Sequence, residues 1–215
     1  MSPEAIAHLK KRCKIMRRII PEIGPCLLAP EEARSPYESL VRAVAHQQLH
    51  GAAAESILRR FRALFPKPRF PNAEELASVS DDALRGAGFS RQKIASLRDI
   101  AAKTISGLVP SSRAIVKLGD EEIIERLTQV RGIGRWSVEM LLIFKLGRPD
   151  VLPADDFGIR DGFRVAFGLD KMPTAKEVLA YGERWRPYAT TAAWYLWRTA
   201  DAARKKSLPV AKKLP

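Results

Sequence analysis

Cysteine is nearly absent from this 215-residue chain, which carries only Cys13 and Cys26. Two thiols cannot supply the four thiolates of an iron–sulfur cluster or of a Cys-based structural zinc site. In a chain without export signals they read most simply as reduced and structural. Histidine is as scarce, with three residues. No apolar run approaches the ~18–20 residues of a membrane-spanning helix, and no charged-then-apolar segment opens the chain. The expectation is a soluble cytoplasmic protein with no membrane partner and, by default, a monomer. Strand signals are nearly missing too, as are internal repeats and low-complexity segments, so sheet-based and repeat architectures are set aside.

What is present is positive charge. Lys and Arg number 37 against 24 Asp and Glu, a formal +13. An excess of that size favours a polyanionic partner through counterion release and long-range steering. Basicity alone leaves DNA, RNA and anionic membrane open. Hydrophobic residues make up 46% of the chain, enough for the core of one large domain or two small ones.

Helix starts and stops recur. A first helix is expected over Pro3–Ile20, with a basic face (Lys10, Lys11, Arg12, Lys14, Arg17, Arg18) that by default is solvated surface, and a stop at Pro21. After a Pro/Gly-rich link, Ser35-Pro36 opens a helix through Ala45, Gly51 interrupts it, and an Ala-rich helix runs on to Leu64. Asn72, Ser80 and Ser90 are N-cap candidates for helices near 73–79, 81–87 and 91–106, and Asp120 for the acidic helix that follows. Helices near 156–167, 174–185 and 187–203, then a frayed basic tail from Arg204, complete an all-α chain of about ten helices in two lobes with a cleft between them.

The densest signal is Leu127-Thr128-Gln129-Val130-Arg131-Gly132-Ile133-Gly134-Arg135-Trp136-Ser137. An acidic helix runs into a Gly-x-Gly corner and leaves as a second apolar helix, Trp136–Leu146. Gly132 and Gly134 suit such a corner because a residue without Cβ takes positive φ freely and lets another backbone approach. The helix after it points unpaired N–H groups and a positive dipole end outward, a setting that favours a phosphate. An ordinary turn between helices would use the same residues, so the corner alone does not decide.

Its company does more. Pro153-Ala154-Asp155-Asp156 precedes an amphipathic helix, so one Asp is an N-cap; the second carboxylate exceeds what capping needs. It sits in the positive field of the first turn, which favours its charged form. An ionised carboxylate in a cleft is what cleavage of a glycosidic bond uses, because that transition state resembles an oxocarbenium ion. Trp136 and Trp197 belong to elements that could line such a cleft beside Asp156 and stack on a cationic base; Trp185 reads as core. His46-Gln47-Gln48-Leu49-His50 has the spacing of a zinc-protease helix, but Gln47 stands where the catalytic Glu belongs and no third imidazole is near. The same stretch reads better as a polar probe that fills a gap in a duplex, with an exposed helix end as the plain alternative.

Together these residues resemble the helix-hairpin-helix DNA glycosylases, and within them the enzymes that remove alkylated bases. Leu127 to Ser137 matches the family's hairpin. Leu152 to Phe157 matches its Leu-Pro-x-Asp-Asp-aromatic segment, and Arg184, Trp185, Pro187, Tyr188 and Trp197 match its aromatic C-terminal part; the likeness covers about Ser35 to Ala203. It implies Asp156 as the catalytic aspartate with Asp155 as cap and neighbour. It further implies Trp136, Trp197 and Met140 as base-pocket walls and Gln48 with Leu49 as the wedge. The backbone grip would be Arg131, Gly132, Ile133, Gly134 and Arg135. A monovalent cation on the carbonyls of Thr128, Val130 and Ile133 is implied as an accessory rather than a required cofactor. Arg131 departs from the family by replacing the usual hairpin proline, the chain begins directly in the helical part where the longer enzyme has an α/β domain, and Met140 stands in for an aromatic. Lobe boundaries are expected at 36–129, and at 1–35 with 130–215.

Relatives that also cut the strand carry a Lys nucleophile where Trp136 stands, and Trp cannot form a Schiff base. The resemblance therefore implies a monofunctional hydrolase of base excision repair that releases 3-methyladenine, 7-methylguanine and similar bases from double-stranded DNA. Two alternatives stand beside it: a non-catalytic helix-hairpin-helix DNA-binding protein, and a glycosylase for deaminated or mismatched bases.

Overall fold

The computed structural model describes residues 2–31, 33–67 and 69–207. Among them are thirteen α-helices and no strand. In chain order the helices are α1 (Pro3–Arg12), α2 (Lys14–Ile23), α3 (Pro36–His46), α4 (Gly51–Arg62), α5 (Ala73–Ser78), α6 (Asp81–Gly86) and α7 (Arg91–Ile105). They continue with α8 (Ser112–Ile115), α9 (Asp120–Leu127), α10 (Arg135–Phe144), α11 (Phe157–Phe167), α12 (Ala175–Gly182) and α13 (Ala189–Ser207), with a 3-10 turn at Glu183–Trp185.

Short polar side chains start most of these helices, as expected where the first backbone donors lack partners. Ser35, Asn72, Ser80 and Ser90 each accept from the N–H three residues on. Asn72/Glu75 and Thr174/Glu177 form full capping boxes. Several boundaries differ from expectation. The first helix is two, because Cys13 takes an extended conformation (φ −142°, ψ 114°) and caps α2 through its sulfur, and Pro21 lies inside α2 rather than ending it. Asp120 is the first residue of α9; the cap position belongs to Gly119. Ser111 starts the additional short helix α8. Arg204 to Ser207 continue α13, and the rest of the basic tail lies outside the described residues.

The chain divides into two compact units, Met1–Pro30 with Gly147–Pro215, and Glu31–Leu146. The hairpin and α10, expected to group with Asp156, fall instead in the unit Glu31–Leu146. The reason is packing: α10 lies against α9 and α3, and Val130, Ile133, Val138 and Leu142 are buried with Leu40, Val44, Phe61, Leu97 and Leu127. In the other unit Leu9, Met16, Ile159, Phe163, Trp185, Tyr195 and Leu196 make the core. Each fully buried side chain of this size contributes about 1.5–3 kcal/mol. There α11 crosses α13 at Gly162, where a Cβ would stand 2.0 Å from the Leu196 carbonyl oxygen. Only a glycine permits that approach.

Candidate functional site

The hairpin begins where α9 ends. Gly132 alone carries the left-handed backbone (φ 77°); Gly134 is extended (φ −95°) and is the N-cap of α10. Buried Val130 and Ile133 anchor the corner, while Arg131, Gly132 and Gly134 are exposed. Having no side chain, Gly134 offers no cap, and the first turn of α10 holds no acid. Among the described residues nothing accepts the N–H of Gly132 or Gly134. Donors left open beside a helix start form an anion site.

The side chains around it were not all legible. Arg131 is exposed and makes no ion pair among the described residues. Arg135, a backbone-contact candidate, is exposed and pairs with Glu121 at 2.7 Å and Glu139 at 3.1 Å. Asp99 Oδ2, on α7, accepts the Arg131 N–H at 2.6 Å. Lys103 Nζ donates to Asp99 Oδ2 at 2.7 Å and also to the Gln129 carbonyl. The carbonyls of Thr128, Val130 and Ile133 offer the hard oxygen donors that suit an alkali cation. The Val130 oxygen also takes the Ile133 N–H at 3.0 Å, which leaves it a second lone pair.

The break between α3 and α4 lies at Gln47–His50, not at Gly51, which starts α4. Gln48 is the one non-glycine residue with positive φ (57°) among the described residues. His46 and His50 therefore do not share a helical face; His46 pairs with Glu55 at 3.1 Å. No cluster of potential metal ligands exists among the described residues. Gln47 Nε2 donates to the Gly132 carbonyl at 2.8 Å, tying the break to the hairpin. Gln48, Trp136 and Met140 line one hollow of about 460 Å³ with His46, Gln47 and Lys93. Trp136 is 48% exposed and Leu49 39%. Lys93 donates to the Ala45 carbonyl at 2.8 Å, and burial pulls its ammonium below the ordinary lysine pKa. No pattern in the sequence marks Lys93, Asp99 or Lys103.

In the other unit, the loop before α11 is strapped to the start of α13. The Val151 N–H donates to Thr190 Oγ1 at 2.9 Å, and Asp150 accepts from the Ala189 N–H and from Arg186. This delivers Asp156, not Asp155, to the N-cap of α11, which corrects the expected division of roles. Asp156 Oδ1 accepts the Ile159 N–H at 2.9 Å and the Trp197 indole N–H at 2.7 Å. Two donors from separate helices fix the plane of the carboxylate. Asp155 is exposed beside it, and Phe157 is 65% exposed on its other side. Trp185 is fully buried, as its core assignment requires.

A carboxylate locked at a helix start and a glycine hairpin with open donors, on an all-helical chain, define a helix-hairpin-helix DNA-repair protein. The family model for the "HhH-GPD superfamily base excision DNA repair protein" matches residues 41–187, and the chain belongs to that superfamily. It is 51% identical over 172 residues to DNA-3-methyladenine glycosylase 1 of Schizosaccharomyces pombe, covering 80% of this chain and 75% of the relative. The solved complex of the S. pombe 3-methyladenine DNA glycosylase with abasic DNA superposes with a TM-score of 0.82 at 46% identity, covering 92% and 97% of the two chains. The DNA-3-methyladenine glycosidase of Bacillus halodurans gives 0.85 at 32% identity, covering 95% and 92%. Among the described residues no helix is long and apolar enough to cross a membrane.

Proposed function

We propose that this chain is a monofunctional DNA glycosylase that hydrolyses the N-glycosidic bond of alkylated bases, 3-methyladenine and 7-methylguanine among them, in double-stranded DNA. The observation that carries the reading is the Asp156 carboxylate, oriented by both the α11 backbone and the Trp197 indole. The names of the relatives support the substrate class, and the complex with abasic DNA supports the product.

The roles run as follows. The open N–H groups of the hairpin and the Arg131 side chain bind phosphate, and a monovalent cation on the Thr128, Val130 and Ile133 carbonyls would add positive charge there. Gln48, held in a strained backbone beside Leu49, fills the stack as the damaged nucleotide rotates out, a step costing a few kcal/mol. Trp136 and Trp197 offer indole faces to the positively charged base, and Met140 lines the Trp136 hollow. A ring-methylated purine leaves with the bonding electron pair and departs neutral, so no strong general acid is needed. Asp156 stabilises the positive charge developing on the sugar; water adds at the anomeric carbon, and its proton passes to the carboxylate or solvent. Trp136 occupies the position of the nucleophilic lysine of strand-cutting relatives, so the abasic site is left intact. The partner is double-stranded DNA, a substrate compatible with a cytoplasmic, nucleoid or nuclear location.

The test is base release from methylated duplex by wild type and by Asp156→Asn. Asn keeps both the cap and an acceptor for the indole, so the fold survives and only the charge is lost. Release falls at least about 100-fold. No release by the wild type refutes the enzyme; equal release by both refutes the role of Asp156. Deaminated and mismatched duplexes run in parallel check the competing specificity. Borohydride trapping on abasic DNA checks the absence of a Schiff base, with Lys93 the amine an opposing result would implicate.

A further inference from the structure

The hairpin of this chain lacks the proline that its resemblance leads one to expect, and Arg131 in its place brings a backbone N–H that proline would not have. That extra donor has a dedicated acceptor. Asp99, on α7, takes it at 2.6 Å. One turn further along α7, Lys103 both neutralises Asp99 at 2.7 Å and donates to the Gln129 carbonyl on the other side of the same corner. The helix also fits the corner sterically: a Cβ on Gly132 would come within 2.5 Å of Ser96 Oγ. Ser96, Asp99 and Lys103, on successive turns of one face of α7, therefore stand against the hairpin, while Gln47 holds the Gly132 carbonyl. Asp99 is held ionised: burial works against its charge, but the Arg131 N–H and the Lys103 ammonium together keep its carboxyl below the usual range.

We propose that Asp99 and Lys103 are positioning residues for DNA binding, a clamp from α7 that does for this hairpin what proline rigidity does elsewhere. Asp99 removes the one hairpin donor that would otherwise compete with Gly132 and Gly134 for the same phosphate. Lys103 neutralises the carbonyl side of the corner from within the chain. With the corner fixed before DNA arrives, the ordering cost of forming the anion site is already met. The inference rests on the reading of the hairpin as the phosphate grip.

Its test exploits the sign of an electrostatic effect. Removing a carboxylate from a DNA-binding surface raises the positive charge and, on Coulombic grounds alone, tightens DNA binding. The clamp predicts the opposite. Asp99→Ala and the milder Asp99→Asn, which keeps an acceptor for the Arg131 N–H, are compared with wild type. Amide hydrogen exchange across residues 129–135 reads the clamp, and equilibrium binding to an abasic-site duplex at fixed salt reads the grip. Thermal unfolding checks that both variants are folded. In Asp99→Ala, exchange accelerates and abasic-duplex binding weakens, each by about tenfold; Asp99→Asn lies between it and wild type in both. Unchanged exchange in Asp99→Ala overturns the clamp itself. Faster exchange with equal or tighter binding overturns the proposal at the hairpin's role as the grip, leaving the clamp as a purely structural contact.

Discussion

Replacing Gly158 with alanine separates the placement of Asp156 from its chemistry. Gly158 is the second residue of α11, and on helix propensity alone alanine there is stabilising, by up to about 1 kcal/mol. The structure reverses the expectation for function. A Cβ at this position would stand 2.8 Å from Trp197 Cδ1, 3.0 Å from Asp156 Oδ1 and 3.2 Å from Trp197 Nε1. It would thus press between the two partners of the 2.7 Å indole–carboxylate hydrogen bond. Trp197 is only partly buried and its ring can swing aside, so the fold accommodates the methyl while the bond is lost. A hydrogen bond to a charged group contributes about 1.5–3 kcal/mol, and each 1.4 kcal/mol of barrier is about tenfold in rate. Gly158→Ala should therefore fold but melt somewhat below the wild-type temperature, because the lost hydrogen bond outweighs a propensity gain of at most about 1 kcal/mol. Base release should be about 10–100-fold slower in single turnover at saturating methylated duplex. Release at the wild-type rate from a folded variant would show that the indole does not govern the carboxylate.

Other perturbations follow from the same geometry. Gly162→Ala should lower stability by about 2 kcal/mol or more, because its Cβ meets the Leu196 backbone at 2.0–3.0 Å rather than a movable side chain; an unchanged urea midpoint would refute the close crossing of α11 and α13. Gln48→Gly relieves the positive φ of 57° and should raise stability by a few tenths to about 1 kcal/mol. It should also slow release from duplex more than from single-stranded methylated DNA; loss of stability would contradict the strained backbone. Tyr181 responds to pH. Burial, helped by the Cys13 sulfur at 3.5 Å, pushes its phenol up to about 12 from 10.0, against the pull of Arg184. Its folded pKa is raised, so its contribution is complete below pH 10 and is lost as pH rises toward 12. Urea midpoints should fall across that window, and Tyr181→Phe should flatten the fall.

The sequence carries the proposed catalytic half of the site further than the proposed binding half, and the reason is the range of the interactions. Asp156, its helix and Trp197 could be named because a cap, an amphipathic period and an aromatic are local signals. The structure changes which of the two adjacent carboxylates caps, and that depends on a ψ angle that Asp155 and Asp156 do not announce. Glycine is the expected breaker, which points to Gly51 for the break before α4, whereas the chain turns at Gln48, next to Gln47 and its bond to the Gly132 carbonyl. Arg135 is expected at a phosphate from its place in the motif; in the structure it also pairs with Glu121, fourteen residues earlier, a partner its motif does not indicate. Asp99 and Lys103 were wholly silent, since an i, i+4 acid–base pair on a helix usually means a solvated face. Only the fold, by bringing α7 against a hairpin some thirty residues away, turns that pair into a support for it. Arg131, where proline is expected, adds a backbone donor to the corner, and the acceptor that takes it, Asp99, lies outside the motif.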